Sequence, residues 1–360
     1  MRTNENGRRW IAAFLAGVLI LLAALSAVVY VVDPYFQFRV RDHAYFLTPG
    51  YVNAGLIKNF DYDTLIMGSC MIGNYDMDQF RREWGAAPLK AEGGGMRPSE
   101  MAAYLNLAEK TGKANRYYIN IDLPYFTEQS GSVKDEYLMR NDFLSRCKYF
   151  LGYETWFRFV PVDVGLLVLK SWKGEFSQGK FSQRTSIDEN GSWPLEKEFG
   201  EEIVRESRFE SQNVLFDILG DGTADNLYER MRARIDDFIL KIDLQNREYS
   251  FVFPPYPALF WCDVQDLGCL EGYLAAKQYF IQRLSGYESC TIYDFQSADI
   301  TMDLSHYCDS NHYDPTVNDW MVECFANHMY VVTEDNYMEL QGKLIENMIL
   351  FREMHSDLFE

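Results

Sequence analysis

From Trp10 to Val32 the chain carries no charged side chain, and nothing else in the sequence restricts its folding so strongly. As a helix at ~1.5 Å per residue the run is about 35 Å long, more than the ~30 Å hydrocarbon core of a bilayer. In lipid the backbone must satisfy its own hydrogen bonds, so a single spanning segment has to be helical. A buried core helix would show a polar face, and this run has only Ser26 to make one. A cleaved signal sequence has a shorter apolar region and a small-residue cleavage site; Ser26-Ala27 approximates such a site, but apolar residues continue through Val32. The run therefore reads as a retained anchor. Arg2, Arg8 and Arg9 precede it and Asp33 follows it. That asymmetry predicts a cytoplasmic tail at 1–9, a transmembrane helix at 10–32 and an extracytoplasmic body at 33–360. An uncleaved anchor with an external body points to the bacterial cell membrane.

The body must be a water-facing, acidic domain with a sizeable core. Hydrophobic residues make up 48% of the chain, the net charge is -19 and the pI is about 4.7. Such a surface repels phosphate backbones and excludes nucleic acid as a partner. The seven cysteines, at 70, 147, 262, 269, 290, 308 and 324, form no C-x-x-C pair and argue against a zinc site. Cys262 and Cys269 are candidates for a small-loop disulfide in an oxidising compartment. The odd count leaves at least one thiol free if pairing is intramolecular.

Along the body, Asp63–Met67, Pro88–Ala91 and Arg116–Asp122 read as short buried strands. Helices are expected at 78–84 and from Pro98 to about Lys110, where Pro98 marks a first turn. Strand, helix, strand, helix, strand at this spacing predicts an α/β fold with a parallel sheet and helices on both faces. After about 139 the rhythm breaks into an aromatic, helical segment (139–172) and then a polar one (173–212). The latter holds Phe-Ser-Gln twice, at 176–178 and 181–183, and Gly191-Ser192. Residues 139–245 are read as a helical insertion or lid, closing with an amphipathic helix at 226–244. Strands resume at 249–253 and 291–295, with a helix at 264–285 between them. Helices at 315–325 and 336–355 end the chain.

Ligands of parallel sheets bind at the carboxyl ends of the strands. Gly68-Ser69-Cys70, Gly93-Gly94-Gly95 and Asp122 all fall at such ends. Asp309-Ser310-Asn311-His312 adds a carboxylate three residues before an imidazole, directly followed by the helix-start signal Asp314-Pro315-Thr316. A nucleophile on an early turn with a late Asp-x-x-His is a layout for acyl transfer: Asp309 would orient the His312 ring, and His312 would move protons. Asp303-x-x-His306 is a competing pair without a helix start after it. Asp303, His306, Asp309, His312 and Asp314 also invite a metal reading, but they share one loop and lack helical ligand spacing. No cofactor is expected. Pro254-Pro255-Tyr256 either lines an acceptor groove or forms a rigid turn.

On these motifs the chain resembles the SGNH hydrolases, the group that includes GDSL lipases and esterases. Within it the chain is most similar to membrane-anchored bacterial members acting on envelope polymers, such as the D-alanyl-lipoteichoic acid biosynthesis and alginate O-acetylation proteins. The resemblance covers about residues 60–125 and 249–327 and implies a three-layer α/β/α, flavodoxin-like fold. The Gly-Asp-Ser-Leu block falls on Gly68-Ser69-Cys70-Met71, which places Cys70 at the nucleophile position and leaves Ser69 as the alternative. The Gly run supplies backbone oxyanion donors at Gly94 and Gly95. The Gly-x-Asn-Asp block meets Ile119-Asn120-Ile121-Asp122, where only the Asp matches and Asn120 stands one position early, on the opposite strand face. Asp122, His306 and Tyr313 are carried as substrate-binding candidates. The implied activity is extracytoplasmic O-acyl transfer or ester hydrolysis on a cell-surface carbohydrate polymer, with a membrane-bound O-acyltransferase as partner. The alternative is a catalytically weak or inactive scaffold for that partner, which the cysteine and the displaced Asn favour.

Overall fold

The computed structural model describes residues 2–39, 49–127, 135–161, 165, 197–219 and 226–359. It divides into two compact units, one drawn from residues 1–59 and 135–188, the other from 60–134 and 189–360. The segment 33–59 and the beginning of the expected insertion thus fall in the same unit as the apolar helix. The two Phe-Ser-Gln triplets and Gly191-Ser192 lie outside the described residues.

In the first unit, helix α1 runs Arg2–Val32. It is long and apolar enough to cross a membrane, and almost none of its apolar window is buried by protein. Helix α2 (Pro49–Asn59), α5 (Glu136–Met139) and α6 (Phe143–Leu151) complete the described part of this unit, together with a π-turn at Thr155–Phe159; α2 packs on α5, and α6 packs on α1. The labels α3 and α4 belong to the second unit, in chain order.

The second unit is built on five strands: β1 Thr64–Gly68, β2 Pro88–Glu92, β3 Arg116–Asn120, β4 Glu248–Phe253 and β5 Cys290–Asp294. All pair in parallel in the order β2-β1-β3-β4-β5. This order reverses direction at β1/β3, where doubly wound sheets open their ligand crevice. The expected strands are all present, displaced by at most two residues at either end.

Neighbouring strand residues show why helices cover both faces. Tyr118 meets Phe80 and Trp84 of α3 (Met77–Trp84) and Phe325 of α11 (Pro315–Ala326). Tyr117, one residue earlier, donates to Glu109 of α4 (Pro98–Thr111) on the other side and stacks on Tyr249 at 4.8 Å. On that same face Phe251 packs edge-on against Phe238 of α8 (Leu227–Leu240) and Phe280 of α10 (Leu270–Leu284). Each fully buried aromatic of this kind contributes about 1.5–3 kcal/mol. Helix α7 (Glu201–Leu219) precedes α8, and α12 (Tyr337–Met354) closes the chain.

Two expectations are corrected. The single helix expected at 264–285 is two, α9 (Ala258–Asp266) and α10, because Gly268 takes a left-handed conformation (φ 69°) and turns the chain between them. The Cys262–Cys269 disulfide is not formed: the Cys262 thiol contacts the Met348 carbonyl, and that of Cys269 contacts the Leu267 carbonyl.

Candidate active site

The first segment of the site follows from the end of β1. Ser69 is extended and caps a single 3-10 turn, Cys70–Ile72, its hydroxyl accepting from the Met71 N–H at 3.3 Å. The turn presents Cys70, which is half-buried, while Ser69 is buried. Gly68 is needed for this: a Cβ there would stand 2.6 Å from that of Asn120 and 3.0 Å from the Ile72 side chain. Alongside, the Gly93 N–H donates to the Gly68 carbonyl at 3.0 Å, and the Met96 N–H closes a turn onto the Gly93 carbonyl. Gly95 stands in that turn at φ 60° and Gly94 is exposed. Those two bonds do not use the N–H groups of Gly94 and Gly95.

The second segment is the loop before α11. Asp314 caps that helix, accepting from the Val317 N–H, and Pro315 occupies its first turn. This fixes where the loop ends. Upstream, Asp309 takes the backbone N–H groups of Asn311 (2.9 Å) and His312 (2.7 Å), folding the Asp-x-x-His stretch back on itself.

These two segments, separated by 242 positions, meet. Cys70 Sγ lies 2.8 Å from His312 Nε2. Asp309 Oδ2 and Oδ1 stand 2.8 and 3.0 Å from His312 Nδ1. The result is a linear thiol–imidazole–carboxylate array. Burial opposes charge on the His312 ring, but the Asp309 hydrogen bond and then the contact with Cys70 outweigh it, and the ring is pushed up to about 10. Burial likewise opposes ionisation of Asp309, but the bonds from His312 and the Lys197 charge hold it well below the usual carboxylate range. The imidazole is thus kept protonated at neutral pH, facing sulfur.

Other expected site residues are placed differently. Ser69 is a cap, and its hydroxyl serves Met71 and Asp122 rather than His312. Asp122 is not open to substrate: it is buried at 1% exposure and takes Asn120 Nδ2 at 3.1 Å and the Tyr256 hydroxyl. Burial dominates and raises its carboxyl. His306 is drawn to Asp314, Nδ1 to Oδ2 2.9 Å, so the competing pair braces the helix cap instead of the thiol. Asp303 caps the short turn Leu304–His306. Tyr313 is buried in the core, and its hydroxyl has no hydrogen-bond partner among the described residues. Pro254-Pro255-Tyr256 is buried and structural, with the Pro255 carbonyl accepting from Tyr307.

Two residues were not anticipated. Lys197 Nζ lies 3.0 Å from Asp309 Oδ2 and 3.4 Å from His312 Nδ1. Glu92, at the carboxyl end of β2, is buried beside Gly73; burial pushes its carboxyl up to about 7 against the opposing charges of Lys90 and His312. Its position at a strand end immediately before the Gly run was a usable signal. Lys197 follows a segment with no periodic pattern and gave none.

The outer face of His312 opens into a groove of about 560 Å³. Lys197, Glu198, Ser207, Glu210, Ser211 and Asn311 supply its polar lining. One wall is α7, from the stretch read as an insertion, and it is tied to the histidine loop by Gly200 N–H to the Tyr307 carbonyl and Ser207 Oγ to the Cys308 carbonyl. Cys308, Asp309 and His312 lie close enough together to share a metal ion. The Lys197 ammonium already neutralises Asp309 there, 3.0 Å from its Oδ2, and that charge opposes a cation on this donor set. No known protein family, curated protein or solved structure matches this chain.

Proposed function

We propose that this chain is a membrane-anchored acyl-transfer enzyme of the SGNH type, with a three-layer flavodoxin-like body and a Cys70–His312–Asp309 triad. The observation that carries the reading is the 2.8 Å approach of Cys70 Sγ to His312 Nε2, with Asp309 on the opposite ring nitrogen. A paired thiolate is a competent acyl acceptor. In the first step sulfur attacks the ester carbonyl, a C–S bond forms, and the alkoxide leaves with the proton from His312 Nε2. In the second, an acceptor hydroxyl or water gives its proton to Nε2, attacks the thioester carbonyl and expels the thiolate. The N–H groups of Gly94 and Gly95 are the oxyanion donors assigned to both steps.

The groove sets hydroxyls, carboxylates and one ammonium beside the apolar Ile203 and Val214, a mixed lining that fits the hydroxyls and ring faces of a sugar, and we assign a cell-surface carbohydrate polymer. A membrane-bound O-acyltransferase would deliver the acyl group, and the body would face the outside of a bacterial membrane. One observation favours a second reading, a scaffold without turnover: the Asn120 amide is turned to Asp122, so the side-chain donor that the resemblance would place beside the glycine turn is engaged elsewhere. The test is full-chain protein in detergent with p-nitrophenyl acetate and iodoacetamide. The enzyme reading expects a thioester on Cys70 detectable by mass spectrometry and a turnover lost in His312→Ala. Background turnover with an inert Cys70 establishes the scaffold.

A further inference from the structure

The first unit carries a surface that neither the anchor nor the triad uses. Helix α6 buries Ser145 and Tyr149 on one side and leaves Phe143 and Leu144 exposed at 78% and 77% on the other. The stripe continues through half-buried Cys147 to exposed Leu151, at the i, i+4, i+8 spacing of one helical face. Exposed Tyr153 and Phe157 then stack on each other at 4.9 Å in the turn that follows. Arg146 and Lys148 flank the stripe, one on each side, between its apolar centre and the buried face. A water-facing helix in so acidic a chain has no reason to expose this set.

Its position identifies the occupant. The buried face of α6 is fastened just past the end of α1: Tyr149 donates to Asp33 Oδ1 at 2.8 Å, and Asp33 follows the last residue of that helix. Phe38 bridges the two, stacking on Phe150 at 5.5 Å and meeting Tyr30 at 5.0 Å. Arg39 lies over the Tyr30 ring and donates to its carbonyl. The end of the apolar helix is where a bilayer meets water, and α6 is held at that level. Residues 143–161 carry Arg146, Lys148 and Arg158 against Glu154 alone, in a chain of net charge -19. The segment is thus the opposite in sign to the chain that carries it.

We propose that α6 and the following turn lie in the plane of the membrane, with Phe143, Leu144, Leu151 and Phe157 in the headgroup–acyl boundary and Arg146 and Lys148 on anionic lipid headgroups. An apolar face flanked by cations, low in net hydrophobicity and rich in aromatics, is the composition of such interfacial helices. This second contact fixes the rotation of the first unit about α1, which a lone transmembrane helix leaves free. The proposal rests on α1 being the membrane anchor, and the experiment separates the two.

Full-length chain is placed in nanodiscs of phosphatidylcholine with phosphatidylglycerol, carrying photoreactive benzoylphenylalanine in place of Leu19, Leu144, Phe157 or Leu240. Leu240 is as exposed as Leu144 (79%) but belongs to the second unit. After irradiation, lipid adducts are counted by mass spectrometry. Adducts at positions 19, 144 and 157, at least tenfold above position 240, are expected. Adducts at 19 with none at 144 and 157 overturn the interfacial face and leave the anchor standing; none at 19 overturns the anchor. In the Arg146→Glu, Lys148→Glu variant, adducts to phosphatidylglycerol at position 144 should fall at least threefold. An unchanged yield overturns the headgroup pairing.

Discussion

Asp309→Asn tests the electrostatic core of the site. The carboxylate makes two contacts with His312 Nδ1, at 2.8 and 3.0 Å, and also neutralises Lys197, whose ammonium is 3.4 Å from the same nitrogen. Removing it leaves the burial of the ring unopposed on that side and adds an unscreened cation. The ring should fall from about 10 to 6.5 or below. At pH 8 the protonated fraction of the ring then drops from nearly all to a few per cent, so the cation facing Cys70 Sγ is lost. Iodoacetamide alkylation of Cys70 at pH 8, read on the tryptic peptide, should slow by about tenfold or more. The same shift has a stability consequence. The folded chain keeps a proton that the unfolded chain releases near 6.5, so the contribution is complete below that pH and disappears as pH rises through about 10. Its upper bound is about 5 kcal/mol. Urea unfolding of the wild type should weaken between pH 7 and 10, and Asp309→Asn should flatten that slope. A folded Asp309→Asn protein with unchanged alkylation rate and unchanged slope would refute the reasoning.

Cys70→Ser should lower ester turnover by about tenfold or more rather than restore it, because a ring held protonated is a poor base for an alcohol; burst kinetics with p-nitrophenyl acetate measure this. Gly95→Ala should destabilise by about 1–2 kcal/mol, since its φ is 60° and the new Cβ would stand 3.0 Å from the Tyr125 ring, whereas Gly94→Ala, facing open space, should be near neutral in thermal melts. Asp294→Asn strips the partner from Lys277, paired at 2.6 Å with both side chains almost fully buried. The loss should be about 3–5 kcal/mol by chemical denaturation, and the double variant Lys277→Met, Asp294→Leu should recover part of it.

The sheet was legible because β1, β2 and β4 are short runs stopped at Ser69, Gly93 and Pro254, and the strand ends carried the chemistry. Asp309 and His312 were legible because Asp314-Pro315 fixes a helix start and therefore the end of their loop. Three-dimensional competition was not legible. Ser69 and Cys70 are adjacent nucleophiles that the resemblance alone ranks, and it is the 3-10 turn that makes one a cap and turns the other to the imidazole. His306 had the same Asp-x-x-His spacing as His312, but Asp314, placed eight residues later for capping, captures it. Asp122 satisfied the strand-end rule, yet Asn120 and Tyr256 consume its oxygens. The break at Gly268 was hidden because apolar spacing continues on both sides of it.

The resting state of the pair separates the two functional readings more sharply than the identity of the nucleophile. A serine needs a neutral imidazole to accept its proton as it attacks, so a ring held up near 10 would idle it. A thiol is intrinsically more acidic than an alcohol and asks less of the base, so the same raised ring is free to serve as the acid that the leaving alkoxide requires. Asp309 sets this balance, since its hydrogen bond opposes the burial that would otherwise lower the ring. A scaffold has no use for such a balance, because any group that packed against Cys70 would serve it. This difference is what favours the acyl-transfer reading proposed above over the scaffold, and turnover of Cys70→Ser against the wild type is the measurement that decides between them.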